Sequence, residues 1–256
     1  MAKNDMPLFA VDDLRRAASL LSRLPLGRGR LSTTRSMAAS AWAWPLVGAF
    51  LGAIAGAVAI LASWLTLPDG LTAGLCLGSL IALTGALHED GLADMCDGFW
   101  GGHEKARRLE IMKDSHVGTF GVLSLALSVL LRWYALTILL QAGWIVAPMI
   151  AAGALSRAPM VLLLAFMKNA RGHGLANSTG SPGRQTALAA LGLALALAFL
   201  TTGWISLIAG FWISLTCLAL ALLSQEKIGG QTGDILGASQ QIAELTALAT
   251  VATLIT

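Results

Sequence analysis

The stretch WAWPLVGAFLGAIAGAVAILASW, residues 42–64, decides the fold class. It contains no charged side chain and is long enough for an α-helix to cross the hydrocarbon core of a membrane, which takes about 20 residues. Its glycines Gly48, Gly52 and Gly56 recur every four residues and therefore share one helix face. Small residues on one face allow a second helix to pack closely in lipid. The stretch thus predicts a membrane-spanning helix with a close partner.

Six further apolar stretches follow the first one. They are residues 71–88, 119–140, 144–167, 186–201, 205–223 and 239–256. Residues 186–223 are too long for a single span, so a turn near position 202 predicts a hairpin of two helices. Charged residues make up only 12% of the 256 residues, about half of the share typical of soluble domains. We therefore expect an all-α integral membrane protein with about seven transmembrane helices.

The connections between these spans alternate in length and charge. Residues 89–118, 168–185 and 224–238 are long and polar, whereas the other connections are very short. All but two of the 17 Lys and Arg residues lie in these long connections or in residues 1–41; Arg132 and Arg157 lie within spans. Positive charge marks the cytoplasmic face. The pattern predicts that the N-terminus and the three long connections are cytoplasmic.

The segment 1–41 precedes the first span. Between Leu8 and Leu24, apolar residues recur at helical spacing with charged residues between them, which predicts an amphipathic helix that ends at Pro25. Such a helix either lies among the lipid headgroups or packs on the cytoplasmic side of the bundle. The basic stretch 27–36 predicts a surface loop near anionic lipid.

The second span ends in the acidic motif HEDGLADMCDG, residues 88–98. The i, i+4, i+7 spacing of Asp90, Asp94 and Asp97 places three carboxylates on one helix face. Their repulsion predicts a bound cation, and Mg²⁺, with Mn²⁺ as the alternative, suits carboxylate oxygens. A solvated acidic face is the alternative interpretation, but acidic residues beside a span are scarce. His88 is a candidate partner of the carboxylates, and the three cysteines form no CxxC pair that would indicate a thiolate site.

The same connection continues with cations and with the motif IMKDSHVG, residues 111–118. Carboxylates followed by Lys and Arg suit a diphosphate bridged by a metal. Asp114 is a candidate metal ligand or general base, and His116 a candidate phosphate donor or positioning group, although ordinary loop roles are equally open for both. The cations assigned to phosphate are Arg107, Arg108 and Lys113.

The sixth connection contains the glycine-rich motif GGQTGDILGA, residues 229–238. Glycines allow backbone N–H groups to approach a phosphate, so the motif predicts a nucleotide-binding loop. Asp234 lies on the same predicted membrane face as the acidic motif. The candidate nucleotide-binding residues are Gly229, Gly230, Thr232 and Gly233.

Two charged residues lie inside predicted spans near the site. Charges within a membrane are usually functional or paired. We therefore expect Arg157 to face the site and Glu244 to pair within the bundle. The basic stretch RGHGL, residues 171–175, either covers a nucleotide or is an ordinary loop.

Together these motifs resemble the cobalamin synthase family, the adenosylcobinamide-GDP ribazoletransferases. The resemblance extends over nearly the whole chain, and it departs from the family pattern at Glu89, where an apolar residue is usual. The motifs that carry it are PLVG 45–48, DGLAD 90–94 with DG 97–98, IMKDS 111–115 with VG 117–118, SR 156–157, GL 174–175, GGQTGD 229–234 and LGA 236–238.

The resemblance implies a reaction and its partners. Adenosylcobinamide-GDP and α-ribazole, or its 5′-phosphate, would join and release GMP at the inner membrane of a prokaryote. Other enzymes of the pathway are further candidate partners, and no nucleic-acid partner is expected. Mg²⁺ on Asp90, Asp94 and Asp97 would bridge the diphosphate, Lys113 and Arg157 would stabilise charge, and Asp114 or Asp234 would accept the hydroxyl proton. Residues 42–256 would then form one polytopic catalytic domain.

Two other functions compete with this one. The fragment Asp94-x-x-Asp97-Gly98 also resembles the start of the CDP-alcohol phosphotransferase signature, but the Ala-Arg and the later paired aspartates of that signature do not follow. A cation transporter would carry acidic residues near the middle of several spans. Here the acids cluster at span ends, which favours the transferase.

Overall fold

The computed structural model describes residues 8–25 and 35–256, and this part of the chain is helical without a named strand. The prediction of an all-α protein is therefore confirmed. A short 3-10 turn, Ala38–Ala43, leads into the first long helix. The α-helices are α1 Val11–Leu21, α2 Trp44–Trp64, α3 Asp69–Thr84, α4 Leu87–Gly101, α5 Lys105–Ile111, α6 Thr119–Gln141, α7 Val146–Phe166, α8 Leu175–Thr179, α9 Arg184–Thr202, α10 Ile205–Ile228 and α11 Gly233–Ile255.

Several of these helices are long and apolar enough to cross a membrane. In the described residues there are five: α2 with its leading turn, α6, α7, α9 and α10, and the pair α3 and α4, bent by 87°, makes a sixth if it is one span. The seventh predicted span lies in α11. This helix is not apolar enough to be counted with the others, because it carries polar side chains such as Gln240, Gln241 and Glu244. The multi-pass membrane fold is confirmed, and the count of seven stays a prediction.

The predicted helix contacts are present. A Cβ on Gly48 would overlap the carbonyl oxygen of Gly153 in α7, and a Cβ on Gly153 would overlap that of Gly48. The small-residue face of α2 therefore packs backbone to backbone on α7, as expected for helices in lipid. The predicted hairpin is confirmed as well, since α9 and α10 are joined only by the two residues Gly203 and Trp204.

The N-terminal helix α1 packs on the bundle. Ala17 and Leu21 are buried, and the Asp13 carboxylate accepts hydrogen bonds from Arg35 Nε at 2.6 Å and Trp42 Nε1 at 2.7 Å. The helix therefore packs on the bundle, and its position relative to the lipid headgroups stays a prediction. Most of the predicted basic loop, with Arg28 and Arg30, lies outside the described residues.

The corner between α3 and α4 orients the acidic motif. Gly85 and Ala86 both have positive φ, 65° and 56°, so α4 leaves α3 at a sharp angle instead of continuing it. The segment after α1 supports this corner, because Arg23 N donates to Leu83 O at 2.7 Å. The acidic motif therefore runs across the end of the bundle and not along the axis of α3.

Candidate active site

Two glycines bring the acidic helix α4 against the start of α11. A Cβ on Gly91 would lie 2.9 Å from Asp234 O, and a Cβ on Gly237 would lie 3.3 Å from His88 O. Because no side chain separates the two backbones here, Asp90 and Asp94 of α4 come close to Asp234 of α11. The glycine-rich motif thus places the carboxylate of Asp234 next to the acidic motif.

The charges in this cluster shift the protonation of Asp94, which lies outside the predicted spans. Burial of its half-buried carboxyl and the negative charges of Asp234 and Asp90 raise its pKa to about 7, against the lowering effect of Arg171. Burial also raises the pKa of Asp234, and Arg171 Nη2, 2.8 Å from its carboxylate, opposes that rise. The cluster therefore favours binding of a proton or a cation near neutral pH.

Asp97 is not part of this cluster. Its buried carboxylate accepts hydrogen bonds from Gly118 N at 2.6 Å and from Gly121 N at 2.8 Å, at the start of α6. Free N–H groups at a helix N-terminus attract a carboxylate. Asp97 thus caps the start of α6 and is not grouped with Asp90 and Asp94 as placed, and its role as a metal ligand stays a prediction. As placed, no three His, Cys, Asp or Glu side chains of the described residues are grouped to hold a metal ion.

A cavity of about 240 Å³ opens beside the cluster. Asp90, Arg171 and Asp234 form its polar end. Apolar side chains from α1, α2 and α7, including Leu21, Trp44 and Met160, line the rest of it. A concave site with few polar groups in an apolar wall is the usual form of a ligand pocket.

The predicted phosphate-binding cations lie in different surroundings. Arg108 donates to Gly102 O at 2.9 Å and to Lys227 O at 3.0 Å, so it ties α5 to the end of α10. Arg107 is exposed and pairs with Glu110 at 2.7 Å. Neither lines the cavity, and nucleotide binding by these two residues stays a prediction.

Residues 113–117 of the motif 111–118 form an exposed loop after the buried Met112. His116 Nδ1 lies 2.7 Å from Asp114 Oδ1, and the hydrogen bonds from the His116 ring and backbone lower the pKa of Asp114. A carboxylate with a lowered pKa is a weaker base, so Asp114 is the poorer of the two base candidates. Lys113 is also exposed in this loop.

The glycine-rich loop is used mainly to connect helices. Gly229 ends α10 with a φ of 75°, and Gly230 approaches the backbone of Lys168 so closely that a Cβ would overlap Lys168 O. Thr232 is buried and caps α11, accepting from Ile235 N at 3.4 Å. Of the four predicted nucleotide-binding residues, only Gly233 lines the cavity.

Arg157 lies in a buried charge network inside the bundle and not in the cavity wall. Its Nη1 is 3.3 Å from Glu244 Oε2, which confirms that Glu244 pairs within the bundle. Arg132 had no assigned role in the sequence analysis. Its Nη1 forms ion pairs with Glu244 Oε1 at 3.0 Å and with Glu89 Oε1 at 3.2 Å. Arg157 Nε and Nη2 have no hydrogen-bond partner in the described structure. The network therefore connects α4, α6, α7 and α11 behind the carboxylate cluster.

Sequence reasoning missed two parts of the site. Arg171 pairs with Asp234 and donates to Met112 O at 3.0 Å, although its stretch was left open between a nucleotide cover and an ordinary loop. Its Arg-Gly-His-Gly composition is the signal that would have found it. Trp44, two residues after the start of the first apolar stretch, lines the cavity, and no local pattern separates it from a lipid-facing tryptophan.

Fold and site together define a polytopic membrane protein with an acidic pocket at one end of its helical bundle. Residues 13–252 match the family model described as cobalamin-5-phosphate synthase. Adenosylcobinamide-GDP ribazoletransferases of Brucella ovis, Brucella canis and Brucella melitensis are each 40% identical over 247 residues, covering 93% of this chain and 95% of theirs. The chain belongs to the cobalamin-5-phosphate synthase family. No solved structure gives a significant match.

Proposed function

We propose that the protein transfers the adenosylcobinamide-phosphate group from adenosylcobinamide-GDP to α-ribazole or its 5′-phosphate and releases GMP. The product is adenosylcobalamin or its 5′-phosphate. Family membership supports this reaction. The observation that carries it is the meeting of Asp90, Asp94 and Asp234 beside a cavity that also contains the cation Arg171.

The reaction exchanges one phosphorus–oxygen bond for another. A ribose hydroxyl oxygen of the ribazole, other than the 5′ oxygen that is already esterified in the 5′-phosphate, bonds to the phosphorus attached to cobinamide, and the bond from that phosphorus to the bridging oxygen breaks. GMP leaves with the bonding electron pair. The hydroxyl proton passes to a carboxylate, for which Asp234 is best suited because it lines the cavity and its pKa is raised.

Arg171 is placed to hold substrate phosphate. Its guanidinium lies at the polar end of the cavity and is 2.8 Å from Asp234. Arginine binds phosphate oxygens through paired N–H groups. Arg171 would therefore exchange Asp234 for the diphosphate when the donor binds, which would free the carboxylate to take the proton. The exposed Lys113 and the buried Arg157 would add positive potential at longer range.

Asp90 and Asp94 would hold Mg²⁺ or Mn²⁺. The fit rests on hard oxygen donors and on the raised pKa of Asp94, which reflects burial first and then repulsion by Asp234 and Asp90 that a divalent cation would relieve. When bound, the metal would neutralise charge on the diphosphate and its leaving phosphate.

The two competing functions gain no support from the site. The buried carboxylates Glu89 and Glu244 are each within ion-pair distance of an arginine, whereas a transported cation needs carboxylates available to it. No observation favours a lipid substrate of the CDP-alcohol type.

The membrane placement is proposed on the charge pattern. The connections 89–118 and 168–185 carry seven Lys and Arg residues, and the glycine-rich connection 224–238 carries one. We place them on the cytoplasmic side of a prokaryotic inner membrane, with the N-terminus on the same side.

The assay that tests this function measures GMP from adenosylcobinamide-GDP and α-ribazole with purified protein. We expect GMP only when both substrates and a divalent cation are present. Asp94→Asn should lower kcat by at least about 10²-fold with little change in folding. Folded wild-type protein that releases no GMP with Mg²⁺ or Mn²⁺ would overturn the proposal.

A further inference from the structure

A groove on the lipid-facing side of the bundle lies apart from the active-site cavity. It has a volume of about 610 Å³ and runs between α7, α9 and α10, each of which is long and apolar enough to cross a membrane. Ala158 on its floor is buried, Phe211 and Leu218 on its rim are exposed, and no charged side chain of the described residues lines it. The groove is therefore filled by lipid or by another chain within the membrane.

The dimensions of this groove match one hydrocarbon chain. It extends along α7 from Leu155 to Met167, a distance of about 18 Å at about 1.5 Å per helical residue. One leaflet of the hydrocarbon core is about 15 Å thick, half of the whole. The groove volume divided by its length gives a mean cross-section of about 34 Å², against roughly 80 Å² for a helix 10 Å across. An extended acyl chain therefore fits inside the groove, whereas a helix contacts only its rim.

The groove continues into a polar pocket of about 370 Å³ at the end of α7. Phe166 and Met167 line both the groove and the pocket. Lys168, which is exposed, and Asn177 also line the pocket, and no Asp or Glu of the described residues does so. These residues belong to the end of α7 and the connection 168–185, which the charge pattern places on the cytoplasmic side. Basic pockets between membrane helices on that side bind anionic lipid headgroups.

We propose that the groove and the pocket together bind one anionic phospholipid, a class represented by phosphatidylglycerol. One acyl chain lies in the groove, and the headgroup phosphate lies in the pocket near Lys168. The site needs neither substrate and is independent of the proposed function. It is still next to the active site, because Ala176 lines both the pocket and the active-site cavity. Asn169 Oδ1, from another residue of the pocket wall, accepts a hydrogen bond from Arg171 N at 3.0 Å.

Native mass spectrometry of the full-length protein in detergent tests this site with added lipid. Phosphatidylglycerol and phosphatidylcholine with the same acyl chains are compared. We expect one phosphatidylglycerol per protein, with a Kd about tenfold lower than that of phosphatidylcholine, because only phosphatidylglycerol has a net negative charge. Equal affinity for the two lipids, or binding of many copies without saturation, would exclude a specific anionic site.

Two substitutions separate the headgroup from the acyl chain. Lys168→Gln should lower the affinity for phosphatidylglycerol to that for phosphatidylcholine, and Lys105→Gln is the matched control, because Lys105 is exposed and lines neither the groove nor the pocket. Ser214→Phe should fill the groove and weaken binding of both lipids about tenfold. Ala219→Phe is its control, since Ala219 is exposed on the same helix and does not line the groove. Wild-type binding of phosphatidylglycerol by either Lys168→Gln or Ser214→Phe would contradict the site.

Photo-cross-linking locates the lipid on the wild-type protein, so this test does not depend on how the variants fold. A phosphatidylglycerol with a diazirine at the end of one acyl chain should label α7 and α10 near Leu155 and Leu207, which line the groove. Excess lipid without the diazirine should abolish the label. Equal labelling of α6 would show that lipid covers the bundle without preference. A dimer that Ser214→Phe dissociates would assign the groove to a second copy of the chain and overturn the lipid site.

Discussion

Asp94 and Asp97 are three residues apart and belong to different surroundings. Asp94 is half-buried among other carboxylates, and Asp97 accepts two backbone hydrogen bonds from the start of α6. The i, i+4, i+7 spacing predicted correctly that both lie on one side of a helix. It did not show that α6 begins next to Asp97, because that contact joins residues far apart in sequence.

Asp97→Ala should therefore act mainly on the stability of the fold and only weakly on metal binding. The change removes two charge-assisted hydrogen bonds and a favourable interaction with the helix N-terminus, a loss of about 2 to 4 kcal/mol. Thermal unfolding in detergent measures it, with Asp94→Asn as the control that should unfold near the wild-type temperature. Equal destabilisation by the two substitutions would contradict the distinction between them.

The raised pKa of Asp94 predicts a pH-dependent metal requirement. Its pKa is about 7 without a metal, well above the ordinary value of an aspartate, so below pH 7 a cation must displace a proton. The Mg²⁺ concentration that gives half-maximal GMP release should rise as the pH falls from 7.5 to 6 and level off above about pH 8. The Asp94→Asn variant, assayed for Mg²⁺ binding directly, should show no such dependence between pH 6 and 8.

At the scale of helices, the approach of α4 to α11 creates the site. Gly91→Ala should disrupt it, because the new Cβ would lie 2.9 Å from Asp234 O and 3.2 Å from the Cα of Gly237. We expect at least a tenfold fall in kcat with a partial loss of stability. Gly78→Ala in α3 is the matched control, since a Cβ there meets nothing within 4 Å; a variant pair with equal activity would contradict this contact.

The buried network gives a physical account of Glu89, whose carboxylate lies 3.2 Å from Arg132 Nη1. Arg132 shares Glu89 and Glu244, and Glu244 also pairs with Arg157. Glu89→Leu alone should leave a buried arginine short of a counter-charge and destabilise the protein by about 3 to 5 kcal/mol. The double variant Glu89→Leu with Arg132→Leu should recover much of this loss. A double-mutant cycle on unfolding measures the coupling, and additive effects would exclude it.

At the scale of the whole molecule, the sequence predicts the apolar helices, the α9–α10 hairpin and the close contact of Gly48 with α7, because each depends on local composition and periodicity. It also places Asp90, Asp94 and Asp234 on one face through the alternation of connections. It does not predict the Arg171–Asp234 pair or the position of Trp44. Both depend on how segments distant in sequence pack. The Arg-Gly-His-Gly composition is a local signal for Arg171 but does not name Asp234 as its partner, and the position of Trp44 has no local signal.

Labelling of single cysteines tests the proposed orientation of the whole chain. In a background in which Cys76, Cys96 and Cys217 are all replaced by Ala, Asp69→Cys at the start of α3 should react with an impermeant maleimide in intact cells. His103→Cys, in the exposed connection after α4, should react only after the cells are opened. The reverse pattern would show that the carboxylate cluster faces away from the cytoplasm.

The charge network also bears on how the chain enters the membrane during its synthesis. Helix α11 carries Glu244 and is too polar to count as a spanning helix by itself. The two arginines that pair with Glu244 lie in α6 and α7, which are synthesised earlier. Glu89 and Glu244 balance the charges of Arg132 and Arg157, so the assembled interior is neutral while the separate helices are not. Helix α11 is therefore expected to enter the lipid together with α6 and α7. Only the assembled bundle removes these charges from contact with lipid.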